Sequence, residues 1–302
     1  MKPKLLSAII LTFNEEIHLQ RCLDSLKGVV DNVYIIDSYS TDATEAIALR
    51  NGAQFYQNKW VNYAGQFNWG LDNCPIDSEW VLRIDADEYL TPELQEEIKN
   101  RLPSVSPGVG GISLKLIRVF MNREIKKGMN TIFMIRLFRF GKARIEETWM
   151  DEHIEIFEGM IQNFEHGFAD HNLNNFGWWI NKHNGYSIRE AVNLLDIEYN
   201  LIENNAEATS KFNEQTLKKK ELKKKYIKSP LFLRSFLYFA YRYFFKLGFL
   251  EGKEGFLWHF MQGWWYRTLV DAKVYEIKKA CGNDTGMMIS YIYDNYNIDL
   301  KK

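Results

Sequence analysis

Short apolar runs alternate with amphipathic segments over the first hundred residues. Apolar runs at residues 5–11, 33–36 and 53–56 predict strands, because runs of this length are shorter than ordinary helices. Apolar side chains at helical spacing predict helices near residues 17–26, 43–50, 63–73 and 92–101. This alternation of strand and helix is typical of a parallel sheet covered by helices.

A fourth strand, predicted at residues 80–84, ends in a cluster of acids, which are Asp85, Asp87 and Glu88. Polar side chains also follow the first two strands directly, namely Thr12, Asn14 and Asp37. Because parallel strands end at a common edge of their sheet, we expect these groups to lie close together. Carboxylate oxygens are the ligands that Mg²⁺ prefers. The acids therefore predict a divalent-cation site, with a solvated turn before the next helix as the alternative.

The pattern changes near residue 110. Two β-rich runs, at residues 111–120 and 131–140, predict a β-ribbon. Residues 146–153 then form a second acidic cluster, which is followed by a short predicted strand at residues 154–157. Two acidic clusters separated in this way are consistent with chemistry that needs one carboxylate for a metal and another as a base.

The last third of the chain is predicted to be helical and is rich in aromatic residues. Asn175 is a candidate N-cap for a helix that begins at Phe176. A lysine-rich run at residues 218–228 precedes the aromatic segment at residues 231–247. On a helical wheel Arg234, Tyr238, Tyr241, Arg242 and Lys246 share one face of that segment, and phenylalanines and leucines cover the rest.

Composition and charge exclude several classes of protein. The 302 residues have a formal net charge of −1, which argues against a nucleic-acid partner. The three cysteines, Cys22, Cys74 and Cys281, are scattered without metal-type spacing and predict no disulfide framework. The N-terminal apolar run lacks a small-residue cleavage site, and no apolar window is long enough to predict a transmembrane helix. Neither a dinucleotide fingerprint nor a P-loop is present.

Five segments of the chain match one known family in order and spacing. They are AIILTFNEE (8–16), IIDSYSTDAT (35–44), AGQFNWGL (64–71), LRIDADE (82–88) and WMDEHIEIFEG (149–159). Through them the chain resembles family 2 glycosyltransferases, and in particular the bacterial enzymes of lipopolysaccharide-core and exopolysaccharide synthesis. The resemblance implies a GT-A fold, which is an α/β, Rossmann-like mixed sheet flanked by helices, with an all-helical, aromatic-rich C-terminal extension. It also implies a glycosyltransferase domain at residues 1–200 and a helical region at 201–302.

The resemblance further implies a site for a nucleotide-sugar donor, with a UDP-sugar preferred. Asp37 would bond the uracil ring, and Asp85 would lie near the ribose. The remaining residues implied for the nucleotide or its sugar are Thr12, Asn14, Glu15, Gln66 and Asn68. The family uses these positions to hold the donor, so the resemblance predicts binding at the carboxyl edge of the sheet.

Metal and base positions follow from the same resemblance. Asp87 would bind a Mg²⁺ or Mn²⁺ ion that bridges the two phosphates. His171 is a candidate further ligand, with an ordinary locally bonded histidine as the alternative. The catalytic base would be Glu152, with Asp151 as the second choice, because the motif here is Asp-Glu-His where relatives often have a His-Glu pair. The Gln-x-x-Arg-Trp motif of processive members is absent, which implies transfer of one sugar per encounter.

The predicted reaction is the inverting, metal-dependent transfer of a hexose to a hydroxyl of a surface glycan or a lipid-linked glycan. Two alternatives are a sugar-1-phosphate nucleotidyltransferase and an inactive scaffold at the membrane surface. Lysines attract anionic lipid, and a Phe/Leu face can lie in the membrane interface. We therefore predict peripheral association with an anionic membrane surface, at the cytoplasmic face of the inner membrane. Packing of the aromatic face on the catalytic domain or a second subunit is the alternative.

Overall fold

The computed structural model describes residues 4–146, 153–202 and 226–300. The described residues form two compact units. The sheet unit contains residues up to 125 and residues 131–173, and the helical unit contains residues 126–130 and those from 174 onward. The predicted bases Asp151 and Glu152, and most of the lysine-rich run, lie outside the described residues.

The sheet unit is built on one large mixed sheet. Its strand order is β3-β2-β1-β4-β8-β6-β11-β5, with β7 paired to β6, and β10 and β9 form a separate two-stranded sheet. The strands are β1 (Lys4–Thr12), β2 (Asn32–Asp37), β3 (Gln54–Gln57), β4 (Ser78–Arg83), β5 (Glu88–Leu90), β6 (Val109–Phe120), β7 (Arg123–Glu124), β8 (Phe133–Arg139), β9 (Ala143–Ile145), β10 (Ile154–Ile156) and β11 (Met160–Asp170). The predicted β-ribbon is therefore the antiparallel pair of β6 and β8 within this sheet.

The directions of the strands place the C-terminal ends of several of them at one edge of the sheet. The first three strands and β4 run parallel to one another. The neighbouring β8 is antiparallel to both β4 and β6, and β11 runs parallel to β6. The loops after β1, β2, β4, β6 and β11 therefore all leave the sheet on the same side, where ligands bind in open α/β sheets.

Four helices of the sheet unit begin and end close to the predicted positions. They are α1 (Leu19–Leu26), α2 (Thr44–Arg50), α3 (Tyr63–Asn73) and α4 (Pro92–Arg101). Asn62 caps α3 by accepting a hydrogen bond from the Gly65 N–H at 2.7 Å, and Thr91 caps α4 in the same way. These capping bonds satisfy amide groups that a helix leaves unpaired at its start.

The core of the sheet unit lies on both faces of the sheet. Along β4, Trp80 and Leu82 belong to one apolar cluster, and Val81, between them, belongs to the other. The same alternation holds in β1, where Ala8 and Ile10 lie on one face and Ile9 on the other. Side chains alternate across a strand, so continuous apolar runs fit strands covered on both sides.

Two sequence-based expectations about elements were wrong. The chain from 160 to 170 was not predicted as a strand, yet it forms β11, the eleven-residue neighbour of β6. Ile17 was assigned to the apolar face of the first helix, but it lies before α1 and its side chain is 48% exposed. The strand escaped prediction because most of its first seven residues are polar or exposed, so it lacks the regular apolar alternation.

The helical unit contains one long helix and a series of shorter ones. Its α-helices are α5 (Phe176–Tyr199), α6 (Leu233–Ala240), α7 (Gly252–Trp258), α8 (Tyr266–Cys281) and α9 (Thr285–Tyr296). Asn175 caps α5, as predicted, by accepting a hydrogen bond from the Trp178 N–H. Although α5 precedes the predicted domain boundary at residue 200, it packs with α8 and α9 in one apolar cluster.

The predicted fold class is confirmed. A mixed sheet flanked by helices is followed by a helical region that carries an aromatic cluster. Among the helices that the structure describes, none is long and apolar enough to cross a bilayer. The three cysteines are all buried free thiols, in agreement with the absence of a predicted disulfide framework.

Candidate functional site

The loops after β1 and β2 are joined through the carboxylate of Asp37. Thr12 and Asp37 are register partners at the ends of these strands, and the Thr12 hydroxyl donates to Asp37 Oδ1 at 2.8 Å. The backbone N–H and the hydroxyl of Ser40 also donate to this carboxylate, at 2.7 and 2.5 Å. Asp37 is fully buried, so these three hydrogen bonds compensate for the loss of water around a charged group.

Asn14 and Glu15 extend this connection between the two loops. The Asn14 side-chain oxygen accepts a hydrogen bond from the Thr41 N–H at 2.9 Å, and the Glu15 N–H donates to the Thr44 hydroxyl at 2.8 Å. Asn14 has φ of 56° and Tyr39, in the facing loop, has φ of 62°. Left-handed backbone at non-glycine residues persists only where surrounding contacts fix it, and it is common at ligand sites.

The side chain of Glu15 points to a buried histidine. The Leu173 N–H donates to His18 Nε2 at 2.8 Å, so His18 carries its proton on Nδ1 and donates it to Glu15 Oε2 at 2.6 Å. His18 is almost completely buried. This pair connects the loop after β1 with the segment that follows β11.

Asp85, at the end of β4, belongs to a network of aromatic and charged groups. The Tyr63 hydroxyl donates to Asp85 Oδ1, and Arg83 Nε donates to the Tyr63 oxygen at 2.9 Å. The Arg83 guanidinium also lies over the Tyr63 ring, 4.3 Å from its centre. Burial raises the pKa of Tyr63 far above its usual value, so Tyr63 is a fixed hydrogen-bond donor to the carboxylate.

A buried ion pair supports Asp85 from the other side. Arg136 Nη2 lies 2.5 Å from Glu88 Oε1, and both side chains are about 95% buried. Glu88 Oε2 accepts the Asp85 backbone N–H at 2.9 Å, and Arg136 Nη1 is 3.9 Å from Asp85 Oδ2. Burial raises the pKa of the Glu88 carboxyl, and the Arg136 guanidinium opposes that shift. Removing one partner of such a pair typically costs about 3–5 kcal/mol of stability.

Asp87 and His171, the two predicted metal ligands, are neighbours in the structure. The His171 N–H donates to the Asp87 carbonyl oxygen at 3.1 Å, and Asn172 Nδ2 donates to Asp87 Oδ2 at 3.0 Å. Arg21, on α1, donates to His171 Nδ1 at 2.9 Å and to the Asp87 carbonyl at 3.1 Å. Because an arginine only donates, His171 carries its proton on Nε2, which donates to Asn122 Oδ1 at 2.9 Å.

The donor chemistry of this pair fits a divalent cation that is also held by phosphate oxygens. Burial, followed by the nearby Arg21 guanidinium, lowers the pKa of His171, so its imidazole is neutral and has the ligand form. Within the described residues, no group of three or more His, Cys, Asp and Glu side chains is placed to hold a metal. Mg²⁺ is commonly held by only one or two carboxylates together with substrate phosphates.

Gln66, on α3, is bonded to the segments that follow β2 and β3. It is 1% exposed, and its amide nitrogen donates to the Ser38 hydroxyl and to the Asn58 carbonyl, each at 3.1 Å. Its amide oxygen accepts from Asn58 Nδ2 at 2.9 Å. Both ends of the amide are therefore bonded within the protein, and the side chain joins α3 to the ends of β2 and β3.

Asn68 holds the edge of the small β-sheet. Its side chain accepts from the Ile145 N–H and donates to the Ile145 carbonyl, both at 3.0 Å. Ile145 lies opposite Ile154 in the antiparallel pair, but the hydrogen bond between the strands joins the next residues, from the Glu146 N–H to the His153 carbonyl. In such a pair the backbone N–H and C=O of Ile145 therefore point away from β10. The amide thus takes the place of a missing third strand. It fixes the strand that leads into the second acidic cluster, of which residues 147–152 lie outside the described residues.

We expect Asn68→Ala to lower the free energy of unfolding by about 1–3 kcal/mol, because two hydrogen bonds to the buried Ile145 backbone are lost. Asn73→Ala, at an exposed amide on the same helix, is the matched control and should cost about 0.5 kcal/mol or less. Urea denaturation of both variants measures the difference. Equal stabilities would contradict the role assigned to Asn68.

The structure brings most of the predicted residues to one edge of the sheet. Thr12 and Asp37 are the last residues of β1 and β2, Asn14 and Glu15 lie in the loop after β1, Asp85 and Asp87 follow β4, and His171 follows β11. Gln66 and Asn68, on α3, contact neighbouring loops and the β9 edge. Sequence reasoning missed several groups that hold the site together: His18, Arg21, Tyr63, Asn122, Arg136 and Asn172. Their partners are distant in sequence, and each residue type alone carries no signal.

The match to a family model decides the classification. The family model described as glycosyl transferase family 2 matches residues 7–165, which are more than half of the chain. The matched residues include the loops after β1, β2 and β4 that form this edge of the sheet. The chain belongs to glycosyl transferase family 2. This is the family that the resemblance predicted, and the nucleotidyltransferase alternative gains no support.

Two similar proteins are named as glycosyltransferases. An uncharacterized glycosyltransferase of Rickettsia felis is 45% identical over 94 residues, which are 31% of this chain and 32% of that protein. The lipopolysaccharide core biosynthesis glycosyltransferase LpsC of Rhizobium meliloti is 31% identical over 177 residues, 57% of this chain and 64% of that one. The match therefore spans about a third of the Rickettsia protein and just under two thirds of LpsC.

A solved structure similar to this chain is glucosyl-3-phosphoglycerate synthase from Mycobacterium tuberculosis, in complex with Mn²⁺, UDP and glucosyl-3-phosphoglycerate. It is 22% identical, and the alignment covers 38% of this chain and 44% of that one with a TM-score of 0.31.

Proposed function

We propose that this glycosyltransferase is metal-dependent, inverting and non-processive, and that it moves one hexose from a UDP-sugar to a hydroxyl of a surface glycan. The observation that carries the proposal is that Asp87 and His171, whose imidazole is neutral, are neighbours at the carboxyl edge of the sheet, joined by the bond from the His171 backbone N–H to the Asp87 carbonyl. The loops that contain Thr12, Asn14 and Asp37 end at the same edge, where we place the nucleotide.

Asp87 and His171 would hold Mg²⁺ or Mn²⁺ in the proposed reaction. When bound, such a cation supplies Lewis-acid stabilisation of the negative charge that develops on the diphosphate leaving group. Asp85 would lie near the ribose, fixed by Tyr63 and Arg136. For His171 to coordinate, its hydrogen bond from Arg21 or its bond to Asn122 must be exchanged for the metal.

The nucleotide site would be formed by both side chains and backbone of the joined loops. Thr12, Asn14, Glu15 and Asp37 hold these loops in one conformation, and we assign Asp37 to the uracil end of the donor. Gln66 and Asn68 would affect donor binding indirectly, because Gln66 fixes the neighbouring loops and Asn68 fixes β9. Preorganised positions of this kind reduce the entropy cost of binding.

Glu152 is the proposed general base, with Asp151 as the alternative. It would take the proton of the acceptor hydroxyl as that oxygen attacks the anomeric carbon opposite the leaving diphosphate, so the configuration inverts. The acceptor is proposed to be a lipopolysaccharide-core, capsule or exopolysaccharide precursor, which the similarity to LpsC supports. The absence of Gln-x-x-Arg-Trp supports one transfer per encounter. We place the reaction at the cytoplasmic face of the inner membrane, where a lipid-linked acceptor would be available.

Thermal unfolding with a panel of UDP-, GDP- and dTDP-sugars tests the donor and the metal. With Mn²⁺ and a UDP-sugar at about 100 times Kd, the free energy of unfolding should rise by about 2.7 kcal/mol. We expect this shift with UDP-sugars alone and its loss on chelation. A shift with another nucleotide would reassign the donor. Folded protein that responds to none of the donors would instead support the inactive scaffold.

A further inference from the structure

A stripe of large apolar side chains faces solvent in the helical unit. Leu233, Leu237, Tyr241 and Phe244 recur at helical spacing along α6 and the π-helical turn Tyr241–Phe245, and each is about half exposed. Phe245, next to them, is 78% exposed. Other apolar side chains of the same segment are exposed to a similar degree: Phe232, Phe236, Leu247, Phe249, Leu250 and Phe256. Contiguous exposed apolar surface of this extent marks an interaction site rather than ordinary protein surface.

The polar side chains of the same helix point into the protein. Arg234 is 5% exposed and donates to the buried Asp271 carboxylate from Nε at 2.8 Å and from Nη2 at 2.5 Å. Arg242 is also buried, and its Nε donates to the Gly128 carbonyl at 3.3 Å. A surface helix in water normally buries its apolar face and exposes its charges. Here that arrangement is reversed, so the exposed face is suited to a less polar medium than water.

Lysines from a distant part of the sequence are fixed beside this segment. The N–H groups of Lys126 and Lys127 both donate to Glu251 Oε1, at 3.1 and 2.7 Å, and the Gly128 N–H donates to the Lys246 carbonyl at 2.9 Å. A Cβ at Gly128 would lie 2.1 Å from the His259 ring, so this loop is packed against the helices too closely for any side chain there. The side chains of Lys126 and Lys127 are exposed.

The charge around the apolar stripe is positive. Residues 126–130 and 232–256 contain four lysines and two glutamates, and their two arginines are buried. One of those glutamates, Glu251, is buried and its carboxylate is bonded to the lysine loop. Lys253 is exposed and Lys246 half-buried, so cationic groups border the apolar side chains. Apolar and aromatic side chains bordered by lysines are typical of proteins that lie on anionic membranes.

We propose that residues 126–127 and 232–256 form one docking surface for an anionic phospholipid membrane. In this surface the Phe and Leu side chains enter the membrane interface while the lysines contact the lipid headgroups. A second copy of the chain is a less suitable occupant. In a two-fold dimer the same patch meets itself, so its lysines would approach one another. An anionic lipid surface instead attracts all of them.

This inference deepens the proposed membrane location, because it names the surface and the class of lipid. Lipid binding needs no donor, metal or acceptor, so it can be measured apart from glycosyl transfer. A transferase that fails to bind vesicles would overturn the docking surface alone. An inactive protein that binds them would overturn the proposed reaction alone.

Flotation with vesicles of phosphatidylcholine, with and without about one third phosphatidylglycerol, tests the proposal. The full chain should float with the anionic vesicles and bind neutral ones at least tenfold more weakly. Phe244→Glu/Phe245→Glu should abolish binding. Lys126→Gln/Lys127→Gln should weaken it by about fivefold for each lysine, and binding should fall as salt rises from about 0.1 M to about 1 M.

Matched controls separate the docking surface from general effects. Tyr293→Glu removes an equally exposed aromatic side chain from α9, and Lys279→Gln removes an exposed lysine from α8. Both should bind like wild type, and circular dichroism should show that every variant is folded. Absence of binding by folded wild type, or an equal loss in Tyr293→Glu, would overturn the proposal. So would dimerisation in ultracentrifugation that Phe244→Glu/Phe245→Glu abolishes while vesicle binding persists, because a second copy would then occupy the stripe.

Discussion

Replacing Asp87 by asparagine should lower the rate of sugar transfer by about 10²–10³-fold, because the leaving diphosphate loses its main source of charge stabilisation. The change removes one negative charge and keeps the size of the side chain. An asparagine oxygen can still accept the hydrogen bond from Asn172, so the local fold should be retained. Release of UDP from a UDP-sugar, measured over a series of Mn²⁺ concentrations, gives both the rate and the metal requirement.

The stabilisation by Mn²⁺ and donor should disappear in the same variant. Asp24→Asn is the matched control, since Asp24 is an exposed acid of the sheet unit that pairs with Gln20 on its own helix and with Lys27 just after it. It should keep wild-type activity and the wild-type melting shift. If Asp87→Asn transferred sugar at the normal rate and at the normal Mn²⁺ concentration, the metal role of Asp87 would be wrong.

Glu152→Gln should reduce kcat by about 10²–10⁴-fold, which is the usual contribution of a general base. The base acts on the acceptor hydroxyl, so binding of the UDP-sugar should be unchanged. Asp151→Asn, one residue away, is the paired test and should lose less than about tenfold if Glu152 is the base. Turnover with acceptor and the melting shift with donor separate the two effects.

The opposite ranking of the two variants would assign the base to Asp151. A loss of donor binding in Glu152→Gln would also contradict the proposed role, because it would place this carboxylate on the donor side. The pH profile gives a further check. The acidic limb of kcat should flatten only in the variant that lacks the base, since protonation of that group no longer limits the rate.

The sequence was sufficient to predict that several candidate site residues lie at one edge of the sheet. Thr12, Asp37 and Asp87 could be placed there because each follows an apolar run, and parallel strands end together. The start of α5 was predicted from its cap, Asn175, which accepts the Trp178 N–H in the structure. In these cases local chemistry and the fold require the same conformation.

The part of the site contributed by later strands could not be predicted in the same way. His171 reaches Asp87 because β11 runs parallel to β6, which itself runs in the direction of β4. The sequence of β11 does not alternate clearly, so its place in the sheet was not visible. The contact between Arg21 and His171 joins residues 150 apart, and pairings over such distances depend on the whole topology.

The aromatic segment shows a different limit of sequence reasoning. The helical wheel separated Arg234 and Arg242 from the Phe and Leu side chains, but it placed Tyr241 with the arginines, whereas Tyr241 is 49% exposed on the apolar stripe. The wheel also did not indicate which face points inward. That choice depends on Asp271 and on the Gly128 carbonyl, which lie on other elements and receive the two guanidinium groups. A buried carboxylate with no other cation would be unstable, so the arginines turn inward and the apolar face turns outward.

The outward apolar face also has a consequence for the protein in solution. The stripe is already helical in the free chain, so adsorption to an interface requires no coil-to-helix transition and none of its ordering entropy. Loss of protein from solution should therefore result from adhesion through this exposed apolar surface rather than from unfolding. Mild detergent is expected to raise the soluble concentration while the helix content measured by circular dichroism stays the same.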